Sequence, residues 1–146
     1  MDSTHHRMYE LTEQQCRQRL EGHDVRVGRI AFAEDGDPNW PMVLPVNYAY
    51  YGGHIFIRTF EGTKLYAALR RQRVAFEIDA IDDGWAEGWS VVAVGVLEVV
   101  DDRDERAAAD AVLHSWLVDT AQHIVRLNIE QLSGRQIIGG PGRAGR

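Results

Sequence analysis

Residues 54–76 read HIFIRTFEGTKLYAALRRQRVAF, and the reading of this stretch decides the fold. Ile55 to Thr59 is a run of β-formers with an arginine near its end. Glu61-Gly62-Thr63-Lys64 turns the chain, and Leu65 to Arg71, rich in Leu, Ala and Arg, follows as a helix. A helix start exposes N–H groups that lack intrahelical partners, and the macrodipole makes that end positive. Gly62 lets a ligand come close to the backbone, Thr63 offers a hydroxyl, and Lys64 and Arg58 offer charge. The stretch therefore reads either as a phosphate cradle or as a turn whose two cations are merely solvated. It is not a Walker A motif, whose glycine spacing is absent.

Working outward, Pro41 to Tyr51 is the preceding strand, joined by the hairpin signal Gly52-Gly53. Pro45 has no N–H for a ladder, so it belongs on an edge or at a bulge, places that often adjoin ligands. Val25 to Ala33 alternates as another strand, followed by the turn-rich Glu34 to Asn39. Downstream, Val74 to Ile81 is a fourth strand and Trp89 to Val100 a long fifth, separated by Asp82-Asp83-Gly84. Both faces of the fifth are mostly apolar, which predicts burial on both. One face covers the domain's own core. The other needs either the chain's own helices or a second copy of the chain, and two-fold homodimers are common.

At the ends, Thr12 with Gln15 forms a capping box that opens a first helix, carrying Cys16 and Leu20 on one face and ending at Gly22. Asp102 with Glu105 opens a second capped helix, Arg103 to Leu117, and Ile124 to Ile129 is a short final strand. Residues 1–10 read as a loose polar segment, 11–138 as one domain and 139–146 as a flexible basic tail. Six short strands with hairpin turns and two or three helices predict a mainly β architecture, an antiparallel barrel with peripheral helices.

With 146 residues and 45% hydrophobic residues, the chain has room for one real core. A net charge of −6 argues against general nucleic-acid binding. The longest apolar run, Ser90 to Val100, is too short to span a bilayer, and the first ten residues lack the apolar core of a secretory signal. A single cysteine forms no internal disulfide and fits a cytoplasmic setting. Cys16 reads as a small apolar helix residue. The six histidines, His5, His6, His23, His54, His114 and His123, make no tight metal spacing. Asp79, Asp82 and Asp83 read as turn chemistry rather than paired acids, and Trp85 and Trp89 either stack on a ligand or pack in a seam. Neither a nucleophile elbow nor a dinucleotide-binding glycine motif is present.

In order, Val27-Gly28-Arg29-Ile30-Ala31-Phe32, Pro45-Val46-Asn47-Tyr48, Arg58-Thr59 with Gly62-Thr63-Lys64, Phe76-Glu77-Ile78-Asp79 and Gly88-Trp89-Ser90-Val91 resemble the pyridoxamine 5′-phosphate oxidase-like family. The similarity is greatest to its actinobacterial and nitroimidazole-reductase-like branch, and it runs from about Leu11 to Ile137. The resemblance implies a six-stranded split β-barrel homodimer with two flavin sites at the subunit interface. It places the FMN phosphate near Arg58, Thr59, Thr63 and Lys64, the isoalloxazine ring along Pro45, Val46 and Asn47, and Trp89 and Ser90 as contributions from the other chain. The family's authentic oxidase holds its substrate's phosphate with a C-terminal tryptophan and arginine. Here Leu127 to Glu130 and Gly134-Arg135 occupy that region with no tryptophan.

The resemblance thus implies a cytoplasmic FMN-dependent oxidoreductase acting on a small planar substrate, with ring chemistry supplied by the cofactor. The alternatives are a reductase using the deazaflavin coenzyme of the F-420 type, whose polyglutamate tail would favour Arg70, Arg71 and Arg73, or a non-catalytic flavin or haem module.

Overall fold

The structure, a computed structural model, describes residues 7–22, 27–60, 63–82, 84, 87–113 and 122–139. In chain order the elements are β1 (Arg7–Glu10), α1 (Glu13–Glu21), β2 (Val27–Ala33), β3 (Pro41–Tyr51), β4 (His54–Phe60), α2 (Thr63–Leu69), β5 (Arg73–Asp82), β6 (Glu87–Val99), α3 (Arg103–Val112) and β7 (Gln122–Ile138). All pairings are antiparallel. The strand order is β1-β7-β4-β3-β2-β5-β6, and a further β7–β6 pairing closes six of the strands into the expected barrel.

Two expectations at the ends need correction. The final strand is far longer than Ile124 to Ile129, and Arg7–Glu10, read as loose, forms a seventh strand. One correction explains the other. The extended β7 offers Arg135 to Ile138 to β1 on the same edge that its first half offers to β4. The other edge of β7 pairs with β6 from Gly88 to Val99. The barrel is split where β4 leaves β7 and β1 takes over.

Local chemistry shapes the elements as the spacing predicts. Thr12 Oγ1 accepts from the Gln15 N–H at 3.1 Å and Gln15 Oε1 accepts from the Thr12 N–H at 2.8 Å, completing the capping box of α1. Asp102 caps α3 by accepting from the Glu105 N–H at 2.8 Å. That helix ends at Val112, and the remainder of the expected Arg103–Leu117 span lies outside the described residues. Gly52 and Gly53 turn the β3–β4 hairpin with φ of 59° and 83°, values an L side chain rarely adopts. Pro45 sits in β3 opposite Arg29 of β2, before pairing with β4 begins at Tyr48, so its missing N–H interrupts no ladder on that side.

The barrel interior is filled by alternate residues, including Ile30, Val46, Ile55, Ile57, Phe76, Ile78, Leu97 and Leu127. Cys16 and Leu20 of α1 and Ala67 and Ala68 of α2 join them. Burial and then the charge of Glu13 push the Cys16 thiol up, consistent with its reading as an apolar residue. Gly95 lies at a register shift between β6 and β7, where a Cβ would stand 1.8 Å from the Asn128 carbonyl oxygen. A second, smaller cluster lies outside the barrel. There α3 lays Ala109 and Leu113 over Phe56, Val100 and Ile124.

Candidate functional site

Strand alternation sorts the sequence-derived site residues into two sets. Val46 and Thr59 point inward and are buried, so Val46 serves the core and can face a ligand only through its main chain. Pro45 and Asn47 of β3 point outward. Arg58 of β4 does likewise, since it shares a face with Phe56 beneath α3. Ser90 also lies on the outer face, opposite Asp79 and Arg135.

Register joins these outward residues into one strip. Pro45 pairs with Arg29, Arg29 with Glu77, and two residues further along β5, Asp79 pairs with Ser90. The fold thus places Asn47, Pro45 and Ser90 on a continuous face and puts Arg29, Glu77 and Asp79 between them. Trp89 points the other way at the mouth of the barrel, with the Arg19 guanidinium 5.0 Å from its ring centroid.

Arg58 is held from α3. Its Nη1 lies 2.7 Å from Asp110 Oδ1, and its Nη2 is 3.5 Å from the Asp110 carbonyl oxygen. Its Nε is buried with no hydrogen-bond partner among the described residues. A buried donor left unsatisfied costs about 1–3 kcal/mol, so this arginine keeps an unspent donor. Thr63 and Lys64 open α2 directly after β4, two residues earlier than the helix expected at Leu65. Their backbone alone is described, and Glu61 and Gly62 lie outside the described residues.

The sequence reading missed the cluster at the centre of the strip. Arg29 Nη1 is 3.2 Å from both Glu77 Oε1 and Asp79 Oδ2. Asp79 was weighed with Asp82 and Asp83, but its partner is Glu77. The available signal was alternation: Glu77 and Asp79 flank buried Ile78 and therefore share a face. Asp82 does make a turn, accepting from the Gly84 N–H at 3.0 Å, while Asp83 and Trp85 lie outside the described residues. Burial pushes the Glu77 carboxyl up, a hydrogen bond and the charge of Asp79 push it further, and Arg29 pulls it back only in part, leaving it at about 7. Both carboxylates line a cavity of about 450 Å³, together with Trp89, Ser90, Arg135 and Ile137.

Other candidates resolve differently. Arg70 donates to the Asp35 carbonyl oxygen at 3.0 Å, Arg71 to Glu98 at 2.9 Å, and Arg73 to Glu130 at 2.7 and 3.2 Å. All three basic residues considered for an acidic tail already have internal partners. Among the described residues, no group of three His, Cys, Asp or Glu could hold a metal ion. No helix among them is long and apolar enough to cross a membrane.

The chain is similar to solved structures over nearly its whole length. The FAD-binding protein of Mycobacterium smegmatis is 32% identical, covers 88% of this chain and 98% of its own, and superposes with a TM-score of 0.71. An FAD-binding protein of Mesorhizobium loti is 28% identical, covers 91% and 98%, and gives a TM-score of 0.74. A Mycobacterium tuberculosis protein is 37% identical over 91 residues, 62% of this chain and 81% of its own. The family model described as pyridoxamine 5′-phosphate oxidase matches residues 12–136, which span every strand of the closed barrel: this chain belongs to that family.

Proposed function

We propose that the protein is a flavin-binding oxidoreductase, active as a homodimer, that takes FMN and passes electrons to or from a small planar substrate. The observation that carries this reading is the outward placement of Pro45 and Asn47 on β3 and of Arg58 on β4, with Thr63 and Lys64 at the start of α2. A flavin needs a flat surface for its ring and fixed cations for its phosphate. The residues present fit that need. Pro45 offers a backbone free of the β4 ladder, and Arg58 is braced by Asp110 while its Nε has no partner among the described residues. Arg58, Thr63 and Lys64 would hold the phosphate, Thr59 lying buried on the inner face, and Pro45 and Asn47 with the main chain of Val46 would lie along the ring. When bound, the flavin would supply the electron-transfer chemistry, and the chain would bind, orient and shield it.

The homodimer is supported by the open outer face of β2, β3 and β5. Val43, Ile81 and Val27 there are 62%, 71% and 38% exposed, set around the Arg29, Glu77 and Asp79 cluster. A second copy seated there would bring its Trp89 and Ser90 to the site. A cytoplasmic setting with no nucleic-acid or membrane partner accords with the acidic charge and the lone buried cysteine.

FAD is the second reading for the cofactor, since two similar structures are of FAD-binding proteins. The deazaflavin reading would draw on Arg70, Arg71 and Arg73, which in this chain contact the Asp35 carbonyl oxygen, Glu98 and Glu130. The deciding experiment titrates FMN and FAD into the wild-type chain and into Arg58→Ala/Lys64→Ala. Each charge-assisted contact contributes about 1.5–3 kcal/mol, so the double variant should lose occupancy while its circular dichroism is unchanged. Full occupancy in that variant would overturn the phosphate assignment, and mass analysis of the ligand released on denaturation separates FMN from FAD.

A further inference from the structure

We propose that Glu77, paired with Asp79 and bridged by Arg29, is the hydrogen-bond donor that positions the planar ligand, gripping an acceptor atom on the edge of its ring. The identity of that ligand rests on the flavin reading above; the donor role rests on the geometry of the outer face.

Two neighbouring rows of the sheet carry the argument. Glu77 lies in the row of Arg29 and Pro45, and Asp79 in the row of Ser90 and Arg135. The cluster is thus flanked on one side by Pro45 and on the other by Ser90. The adjoining cavity of about 450 Å³ falls within the range that accepts small ligands and cofactors. Its walls include apolar Ile81 and Ile137 beside Gly88, a surface against which a flat ring can lie.

A carboxylate can only accept hydrogen bonds, and a carboxylic acid can donate one. Arg29 reaches both acids with a single nitrogen, so one cation faces two carboxyl groups. Two negative charges this close disfavour full ionisation, and burial adds to that cost. The remaining charged groups on the cavity, Arg135 of β7 and Glu87 of β6, oppose one another in sign. Glu77 therefore keeps a proton close to neutral pH, and a ring carbonyl or ring nitrogen is the complementary partner. Covering the face with a ligand removes more water and strengthens the preference for the protonated form.

The test measures FMN affinity by fluorescence from pH 6 to 8.5 for the wild-type chain and for Glu77→Gln, whose amide remains a donor and does not titrate. The ratio of the two affinities cancels the titration of the ligand's own phosphate. Above pH 7 the wild-type affinity should fall relative to Glu77→Gln, approaching about tenfold per pH unit, as expected when one proton is taken up on binding. A second readout is independent of the variant. In carbon-labelled wild-type protein, one glutamate carboxyl resonance should titrate at about 7, and its midpoint should rise when FMN is added. Superimposed pH profiles, or a midpoint that does not move with bound FMN, would overturn the donor role alone. Absence of FMN binding at every pH would instead overturn the flavin reading, and the donor role with it.

Discussion

The two halves of the barrel's outer face solve the same problem in opposite ways. Over β4 and the start of β7, the apolar surface of Phe56 and Ile124 is covered by α3. Arg126 at its margin is engaged through all three nitrogens, donating to Glu105 at 2.7 Å, to Glu98 at 2.8 Å and to Asn128 at 2.8 Å. Over β2 and β5 none of the described helices lies on the face, Val43 of neighbouring β3 and Ile81 stand exposed, and Arg29 serves two carboxyl groups at once. The covered face pairs nearly all of its charges within one chain, Arg58 Nε being the exception among the described residues. The open face leaves a whole cluster short of cations, and such incompleteness is what a partner or ligand can use.

The strongest way to break this contrast is to weaken the covered half. Phe56→Ala should cost about 3–5 kcal/mol, read as a lower urea midpoint, because the side chain is buried between sheet and helix. A cost below 1 kcal/mol would mean that α3 is not a true cover. Next in size is Arg126→Met, which removes the arginine from Glu105 and leaves Glu98 with Arg71 as its one cation among the described residues, and should cost about 1–3 kcal/mol. This penalty should shrink in acid. Burial pushes Glu98 up, but hydrogen bonds from Asn128 and Arg126 and the charges of Arg71 and Arg126 leave it below the usual carboxylate range. Its contribution is therefore present above the unfolded value of about 4.3 and lost as pH falls through the lower folded value. Unfolding of both chains at pH 7 and pH 3 checks the sign.

On the open half the expected effects on stability are smaller. Val43→Asp and Ile81→Asp should change the stability of a single chain by no more than about 0.5 kcal/mol, since both residues are exposed. On the proposed homodimer, sedimentation should show a dimer for the wild type and monomers for these variants. Unchanged sedimentation would end the case for a second copy on this face. The finest distinction concerns Glu77. Its folded value near 7 is raised, so ionising it opposes folding. Wild-type stability relative to Glu77→Gln should be greatest below about pH 4.3 and decline as pH rises through 7. A flat difference between pH 4 and pH 8 would mean that the cluster does not hold its proton.

Much of this contrast was legible in the residues, and what was not has a physical reason. Thr12 with Gln15 and Asp102 with Glu105 marked both helix starts, because capping chemistry is local. Pro45 marked the place where β3 lacks a second neighbour for the same reason. The pairing of Glu77 with Arg29 was hidden, because 48 residues separate them and only the register of β2 on β5 brings them together. Asp110 was hidden behind Arg58 in the same way, across 52 residues. The long β7 was misjudged because Gln131, Ser133 and Gly134 weaken its β-signal. Tertiary pairing with β6 overrides that weakness.

β7 also carries a consequence for how the chain is made. It pairs with β4 and β6 along much of its length, and with β1 near its end, yet it is synthesised after every strand it pairs with. Until it leaves the ribosome, β4 and β6 both present unpaired edges, and β1 has no strand to join. Open edges of this kind recruit other chains, so nascent or truncated protein should be the aggregation-prone species. Contacts this distant in sequence also slow folding, which lengthens the exposure. Removal of residues 130–146 should therefore yield insoluble protein, even though most of the barrel's inward-facing apolar residues would remain.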